Sequence, residues 1–590
     1  MTLFCLNSYS SLRPLWLQFL GLMLLIWACK GLRRFFEVRM MFRRLKDQGI
    51  PMMPHSFLFG HLGIIYRLTK GKPSDMHANY IASLLMQNWK SVYPDQKSCP
   101  GLLYVDMWPI APPIIFTIDP ALPGQSFYNL HHHHPNTLGY LKPLTENLDL
   151  VSFRGETWRT WRTRLSYGFA PKNITALLPT ILDEVVVFCD VLRSKAGENG
   201  SWGDSVQLEP MTTSLTFDII ARAALDIRLG EQTQGPSPFR RAMADQLTHC
   251  LFEYNILTLP HLLNPVRYWK MARNSRVMRQ FLMPHILARL ENPSPSDTKP
   301  QANPDSEHPP SQPPITCNNA NSTIIDLAVQ AFRREATTTD PLQPTPPSPD
   351  ALFINTLLGQ LKISVFAGHD TTAATLCWAL HSLSIYPRAA ASLRRELDAV
   401  FGPDPASLVP LLRAQPHLLY QLPYTTAFIK EVLRFQPSGA VIRISPPDDE
   451  KFTFHLPGDD TVYPTAGFMV WDAIVASMKY EGAWPRADEF LPERWLARPD
   501  EELHVRKNAW RAFGLGPRQC IGQELAMAEL RLAVAAVARE MEIECAWGKW
   551  DKAMGYQGPK NEMEGHRCYQ VGKIVPHVSG GMPVHVRMRT

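Results

Sequence analysis

Ten residues, Phe513-Gly-Leu-Gly-Pro-Arg-Gln-Cys-Ile-Gly522, narrow what this chain can fold into more than any other stretch. Gly514, Gly516, Pro517 and Gly522 let the backbone turn tightly and come close to a flat ligand. Residues 523–539 follow as a breaker-free helical pattern, so the lone Cys520 falls at a helix N-terminus. There the helix dipole and free backbone N–H groups stabilise a thiolate, the form of sulfur that binds a metal. Free cysteine more commonly serves as a small buried apolar side chain, so the rest of the chain must decide between the two.

The chain has 590 residues, 45% of them hydrophobic, which is ample for a large core. A net charge of +6 with 19% charged residues is too mild to mark a nucleic-acid-binding surface. The ten cysteines include no C-x-x-C pair, which gives zinc ribbons and thioredoxin-type centres no support. Their scatter does not resemble a secreted disulfide framework either. No repeat of solenoid or propeller period is present. Four adjacent histidines, His131 to His134, lack the spacing of a built metal site.

Residues 15–29, LWLQFLGLMLLIWAC, carry no charge and one polar side chain, Gln18. As a helix they span about 22 Å, so flanking residues and a snorkelling Arg13 are needed to cross a hydrocarbon core of about 30 Å. Lys30, Arg33, Arg34, Arg39, Arg43, Arg44 and Lys46 follow, and the positive-inside rule puts the remainder of the chain in the cytoplasm. No small-residue cleavage site follows Cys29, so an uncleaved anchor fits better than a signal peptide. Pro51 and Pro54 then extend the backbone and hold a globular body at a set angle from the membrane.

From about residue 56 helical periodicity dominates. Residues 102–106 and 113–118 read as an early hairpin, and residues 181–192 and 389–400 as helices. Residues 292–317 hold eight prolines among 26 positions and are otherwise polar, which predicts a disordered surface loop. A helix capped by Thr323 follows, then a second proline-rich stretch at 341–349, then a long apolar helix over 351–385. The predicted body is mainly α with small β-sheets.

In the middle of that long helix stands Phe366-Ala-Gly-His-Asp-Thr-Thr372. A buried acid and alcohol, Asp370 and Thr371, are costly without a reason. Small Ala367 and Gly368 leave room for a ligand beside the helix, or for close packing by a second helix. Glu431 and Arg434 share a helix face by their spacing, although such pairs are usually solvated surface charges. Arg443 follows nine residues on, Pro492-Glu-Arg-Trp495 supplies Arg494, and Trp158 and Arg162 form a W-x-x-x-R pattern.

Together these segments resemble the cytochrome P450 family. F-x-x-G-x-R-x-C-x-G is similar to its haem-binding loop, and Phe513, Gly516, Arg518, Cys520 and Gly522 fill every position. The five motifs occur in the family's order from Trp158 to Gly522, and the resemblance covers roughly residues 50–590. It implies haem b between a distal and a proximal helix, with Cys520 as axial ligand to the iron. Arginine suits the haem propionates, and the resemblance implies that role for Arg162, beside Trp158, and for Arg443. It implies that Glu431, Arg434 and Arg494 interlock beneath the haem as a structural network, and that Asp370 and Thr371 deliver protons where the distal helix kinks. The implied division is an anchor at 1–30, a basic proline-rich hinge at 31–55, and a haem-thiolate domain at 56–590 with an insertion at about 292–323. One departure stands out: the family usually has a histidine shortly before the position of Trp484, and here Met478 or Lys479 stands instead.

The implied reaction inserts one oxygen atom from O2 into a lipophilic organic substrate. The implied electron donor is a membrane-bound NADPH-dependent flavoprotein reductase, with cytochrome b5 as a further donor, because no flavin-binding or Rossmann-like segment occurs in this chain. The implied location is the endoplasmic reticulum membrane, single-pass, with the catalytic body in the cytosol. Residues 130–149, the surroundings of Phe366, residues 440–442 and the tail near Val578 are expected to wall the substrate pocket. The strings FAGHDTT and GPRQCIGQELAMAEL and the tail Cys568-Tyr-Gln-Val571 resemble fungal enzymes of secondary metabolism, including polyketide-tailoring oxidases. The alternatives are a family member acting as desaturase, isomerase or coupling enzyme, and a non-enzymatic haem protein.

Overall fold

The structure is a computed structural model and describes residues 7–129, 133–250, 259–291, 323–339, 350–439, 441–444, 452–558, 561–572 and 575–589. The proline-rich segment expected at about 292–323 lies outside the described residues except for Thr323, as do residues 341–349, His131, His132 and Ala440.

Helix α1 (Asn7–Asp47) is continuous over 41 residues and changes character along its length. Leu17, Phe19 and every residue from Leu22 to Trp27 are exposed. Val38, Phe42 and Leu45 are buried against Leu102, Tyr104 and Ile115. Arg39 is also buried: its guanidinium pairs with Asp106 and donates to the carbonyls of Phe57 (2.8 Å) and Leu58 (2.9 Å). Residues 31–47, expected within a hinge, are therefore helical and docked. The reason is local, because no breaker follows Gly31 until Gly49, at φ +80°, and the buried apolar positions recur at helical spacing.

Strands β1 (Leu102–Val105) and β2 (Ile114–Thr117) form the expected antiparallel hairpin. Helices α2 (Gly155–Ser166) and α3 (Pro171–Arg193) follow, then the short β3 (Val206–Gln207) and α4 (Leu208–Leu225). Helix α5 (Ala351–Ile385) has the predicted bounds. It is long and apolar enough to span a bilayer, but most of its apolar window is buried inside the body. Ahead of it, Thr323 caps a helix over Ile324–Thr339: the Asp326 N–H donates to Thr323 Oγ1 (3.3 Å), and the Thr323 N–H and hydroxyl donate back to the Asp326 carboxylate. This reciprocal box satisfies donors that a helix start leaves orphaned.

Helix α6 (Pro423–Phe435), strands β4 (Val441–Ile444) and β5 (Met469–Asp472), and helix α7 (Gln523–Glu540) carry the remaining motifs. The chain closes with β6 (Met541–Cys545), β7 (Gln570–Val571), β8 (His577–Val578) and β9 (Pro583–Met588). One sheet has the order β1-β2-β5-β4, with the β2–β5 pair parallel; a second has the order β3-β9-β6. The main core is helical and includes residues of α3, α4, α5 and α7. Helix α5 approaches its neighbours closely where it lacks side chains: a Cβ on Gly359 would lie 2.2 Å from the Leu148 carbonyl oxygen, and one on Gly368 would lie 2.9 Å from Ile220 of α4.

Candidate active site

The cysteine loop is shaped by Gly514 and Gly516, at φ +74° and +71°, a region that favours glycine. These turns bring the Cys520 N–H to the Phe513 carbonyl (2.8 Å) and the Gln519 N–H to that of Gly516 (3.0 Å). Just upstream, Arg511 is fully buried and forms a forked pair with Asp472 at the end of β5 (2.8 and 2.6 Å), and it also donates to Ser477 Oγ (2.7 Å). That pair, which the motifs did not flag, pins the loop to the first sheet. Cys520 itself remains solvent-accessible, yet protein surrounds it closely enough that burial pushes its thiol pKa up. The Gly522 backbone N–H and the Arg162 guanidinium pull it down.

Arg162 acts on this sulfur, Arg518 feels Arg162, and Arg443 feels Arg518. Arg518 donates to the Phe153 carbonyl (2.7 Å) and stacks over the Trp158 ring at 4.7 Å. Burial, together with Arg154 and Arg162, pushes its pKa down to about 10. Arg443, inside β4, is also pushed down to about 10 by burial and by Arg518, with Asp472 opposing. Burial lowers Arg162 too, with Cys520 opposing. None of these three guanidiniums pairs with a carboxylate among the described residues, and Arg443 Nε is buried without a partner. The nearest group to Arg443 is the His133 ring, 2.7 Å from its Nη1. Burial and then Arg443 hold His133 well below its usual pKa, so it remains neutral and supplies no negative charge. Sequence spacing had set that histidine aside.

Glu431, Arg434 and Arg494 come together in the opposite electrostatic state. Arg434 forks onto Glu431 (3.0 and 2.9 Å), and its other donors reach the carbonyls of Met478, Ala487 and Glu489. Arg494 Nε donates to the same carboxylate (3.0 Å), as do Trp495 Nε1 (3.0 Å) and the Leu491 N–H (2.9 Å). All three charged side chains are completely buried. Lys479, one of the two residues that stand for the absent histidine, is committed elsewhere, pairing with Glu564 at 2.9 Å.

Helix α5 contributes two faces. Ala367 is exposed, and Gly368 and Thr371 are partly so, on a helix otherwise mostly buried. The two small residues differ in purpose, since Gly368 admits Ile220 while Ala367 leaves an open face. The helix runs through this segment without interruption. The carbonyls of Ala367, His369 and Thr371 nevertheless accept hydroxyls from Thr371 (2.8 Å), Thr216 (2.9 Å) and Thr375 (2.8 Å), which loosens the hold of the backbone ladder. On the other face, Asp370 lies 3.6 Å from His577 Nε2, whose Nδ1 contacts Glu209 at 2.9 Å. The Glu209 hydrogen bond raises the His577 pKa to about 9, and Asp370 adds to the rise against burial. These residues line a cavity of about 690 Å³ together with Tyr140, Arg240, Phe366 and His369. Cys520, Thr371 and the three guanidiniums do not line it. The cavity therefore serves the Asp370 side of the helix. Tyr140 and Phe366, from two of the expected pocket walls, are among its lining residues.

An exposed sulfur at a helix start, a surplus of buried positive charge beside it and an open face on a long helix fit a planar, dianionic, metal-bearing ligand. These features define a haem-thiolate enzyme on a mainly α scaffold. The family model described as "Cytochrome P450" matches residues 129–552. The cytochrome P450 monooxygenase polC of Polytolypa hystricis is 32% identical over 94% of this chain and 93% of its own length. The cytochrome P450 monooxygenase acrF of Aspergillus aculeatus is 26% identical over 87% of this chain and 98% of its own. A crystal structure of a cytochrome P450 superposes with a TM-score of 0.61 at 19% identity, covering 86% of this chain and 94% of that one. The chain belongs to the cytochrome P450 family, and as such is a monooxygenase that binds haem b through a cysteine thiolate and draws on a redox partner.

Proposed function

We propose that this enzyme inserts one oxygen atom from O2 into a lipophilic substrate of a fungal secondary-metabolite pathway, of polyketide type. Haem b supplies oxygen activation and attack on the substrate carbon. Cys520 holds the iron; Arg162, Arg443 and Arg518, with Trp158 packed on Arg518, neutralise the propionates. Phe513 and Gly522 shape the loop around the sulfur. Asp370 and Thr371 move protons across α5. His577 and Glu209 supply Asp370 from the cavity, whose walls also present Tyr140, Phe217, Met243, Leu247 and Phe366 to a lipophilic substrate. The electrons come from an NADPH-dependent flavoprotein reductase, with cytochrome b5 as a second donor. The exposed apolar half of α1 anchors the enzyme in the endoplasmic reticulum membrane, with the body in the cytosol.

The observation that carries this reading is the exposed Cys520 in a cluster with three guanidiniums that pair with no carboxylate among the described residues. Its test compares metabolites of cells making the native enzyme with those of cells making Cys520→Ala. A compound that disappears while a precursor lighter by one oxygen accumulates supports monooxygenation and identifies the substrate. A precursor differing by two hydrogens instead replaces it with desaturation or coupling, and identical profiles overturn it.

A further inference from the structure

Three metal-ligand side chains from distant parts of the sequence converge away from Cys520. His381 lies near the end of α5, Cys545 ends β6, and Cys568 stands two residues before β7. Cys545 Sγ is 3.5 Å from Cys568 Sγ and 3.3 Å from His381 Nδ1, and all three donor atoms lie within 4.8 Å of one another. Zinc–sulfur bonds of about 2.3 Å and zinc–nitrogen bonds of about 2.0–2.1 Å put neighbouring ligands of a tetrahedral ion about 3.5–3.8 Å apart. The two separations at Cys545 are close to those edges before any metal is considered, and the third lies within 4.8 Å. The Trp547 indole N–H donates to Cys568 Sγ (3.4 Å), the kind of outer contact that steadies a ligating thiolate.

The backbone holds this triangle in place. Cys545 pairs with Val584 of β9. Tyr569, next to Cys568, exchanges hydrogen bonds with Ser579: the Ser579 N–H donates to the Tyr569 carbonyl (2.9 Å), and the Tyr569 N–H donates to Ser579 Oγ (3.2 Å). His381 rides on α5, most of which is buried. None of the three lines the Asp370 cavity. His381 and Cys545 are partly exposed, which leaves a route for an ion and for water as a fourth ligand.

Two plainer uses of these residues are weaker. A disulfide needs sulfurs about 2.05 Å apart, and these stand at 3.5 Å, in a body read as facing the reducing cytosol. Simple apolar packing of two thiols accounts for neither the imidazole nitrogen aimed at one sulfur nor the indole N–H aimed at the other.

We propose that His381, Cys545 and Cys568 bind a thiophilic d10 cation, zinc or cuprous ion, at a structural site separate from the haem. The ion ties α5, which carries Asp370, to the C-terminal strands, which carry His577.

The test measures metals in full-length holoenzyme purified after growth with added zinc chloride. Roughly one zinc or copper per haem iron is expected in the native protein, and its loss is expected in Cys545→Ser/Cys568→Ser with the iron retained. Which metal is found names the ion. Equal metal in native and variant protein overturns the proposal. So does a Cys545–Cys568 disulfide in peptides mapped without reduction. Should the variant not fold, cobalt(II) added to metal-stripped native holoenzyme gives the same decision. A tetrahedral cobalt–thiolate absorption band that zinc displaces supports the site, and its absence overturns it.

Discussion

Two sets of arginines lie within this molecule and differ in one respect. In the Glu431–Arg434–Arg494 set every charged group is buried, and the carboxylate takes donors from both arginines, an indole and a backbone N–H. In the Arg162–Arg443–Arg518 set no guanidinium pairs with a carboxylate among the described residues; burial lowers all three pKa values, and neighbouring arginines add to this at Arg443 and Arg518. A closed network is complete without a ligand and holds the protein together. An open one is destabilising until an anion arrives, and so reports a binding site. On the proposed reading, the difference separates scaffold from cofactor site by charge accounting.

The sharpest way to break this comparison is Arg434→Ala. It strands Glu431 in a dry interior, and removing one partner of a buried pair costs about 3–5 kcal/mol. Denaturant unfolding of the haem-free protein should show a loss of that size, and little holoenzyme should form. Arg443→Ala should do the reverse. The haem-free protein should lose far less stability than with Arg434→Ala, because the substitution strands no buried carboxylate. Haem should then leave roughly ten- to a hundredfold more readily, the equivalent of a charge-assisted hydrogen bond of about 1.5–3 kcal/mol. Transfer of haem to a scavenger protein measures this, and a large loss of haem-free stability would erase the distinction between the two sets.

His577 sits between these extremes, one cation facing Glu209 and Asp370, with His369 and Arg240 on the same cavity wall. Its pKa of about 9 lies above the usual 6.5. Its attraction for the two acids is thus fully present below pH 6.5 and fades as the pH rises through 9. Melting temperature should fall over that window, and His577→Gln should flatten the fall. The smallest effect is expected from Arg162→Ala. It removes a cation that favours the Cys520 thiolate, so the rate of thiol alkylation in haem-free protein at fixed pH should drop.

Much of the site was legible because its chemistry is local. Glycines in the Cys520 loop, a helix after it, and an acid beside an alcohol inside an apolar helix each follow from residue type and spacing. The bounds of α5 and the Thr323 cap followed in the same way. Other features were hidden because their partners are remote in sequence. Arg511 meets Asp472, His133 meets Arg443, and Glu209 meets Asp370 through His577. The docking of α1 was half-visible: the spacing of Val38, Phe42 and Leu45 is helical, but burial of Arg39 depends on Asp106 from another element.

Sequence alone therefore pointed to most of the elements, to Cys520 as the proposed iron ligand and to the class of chemistry, since those depend on neighbours along the chain. Tertiary structure decided which charges are satisfied and which are left open. It also decided that Gly368 makes room for Ile220 while Ala367 faces outward, and that His381 meets Cys545 and Cys568. Charge balance and donor geometry are set through space, over distances of a few ångströms that chain order does not encode.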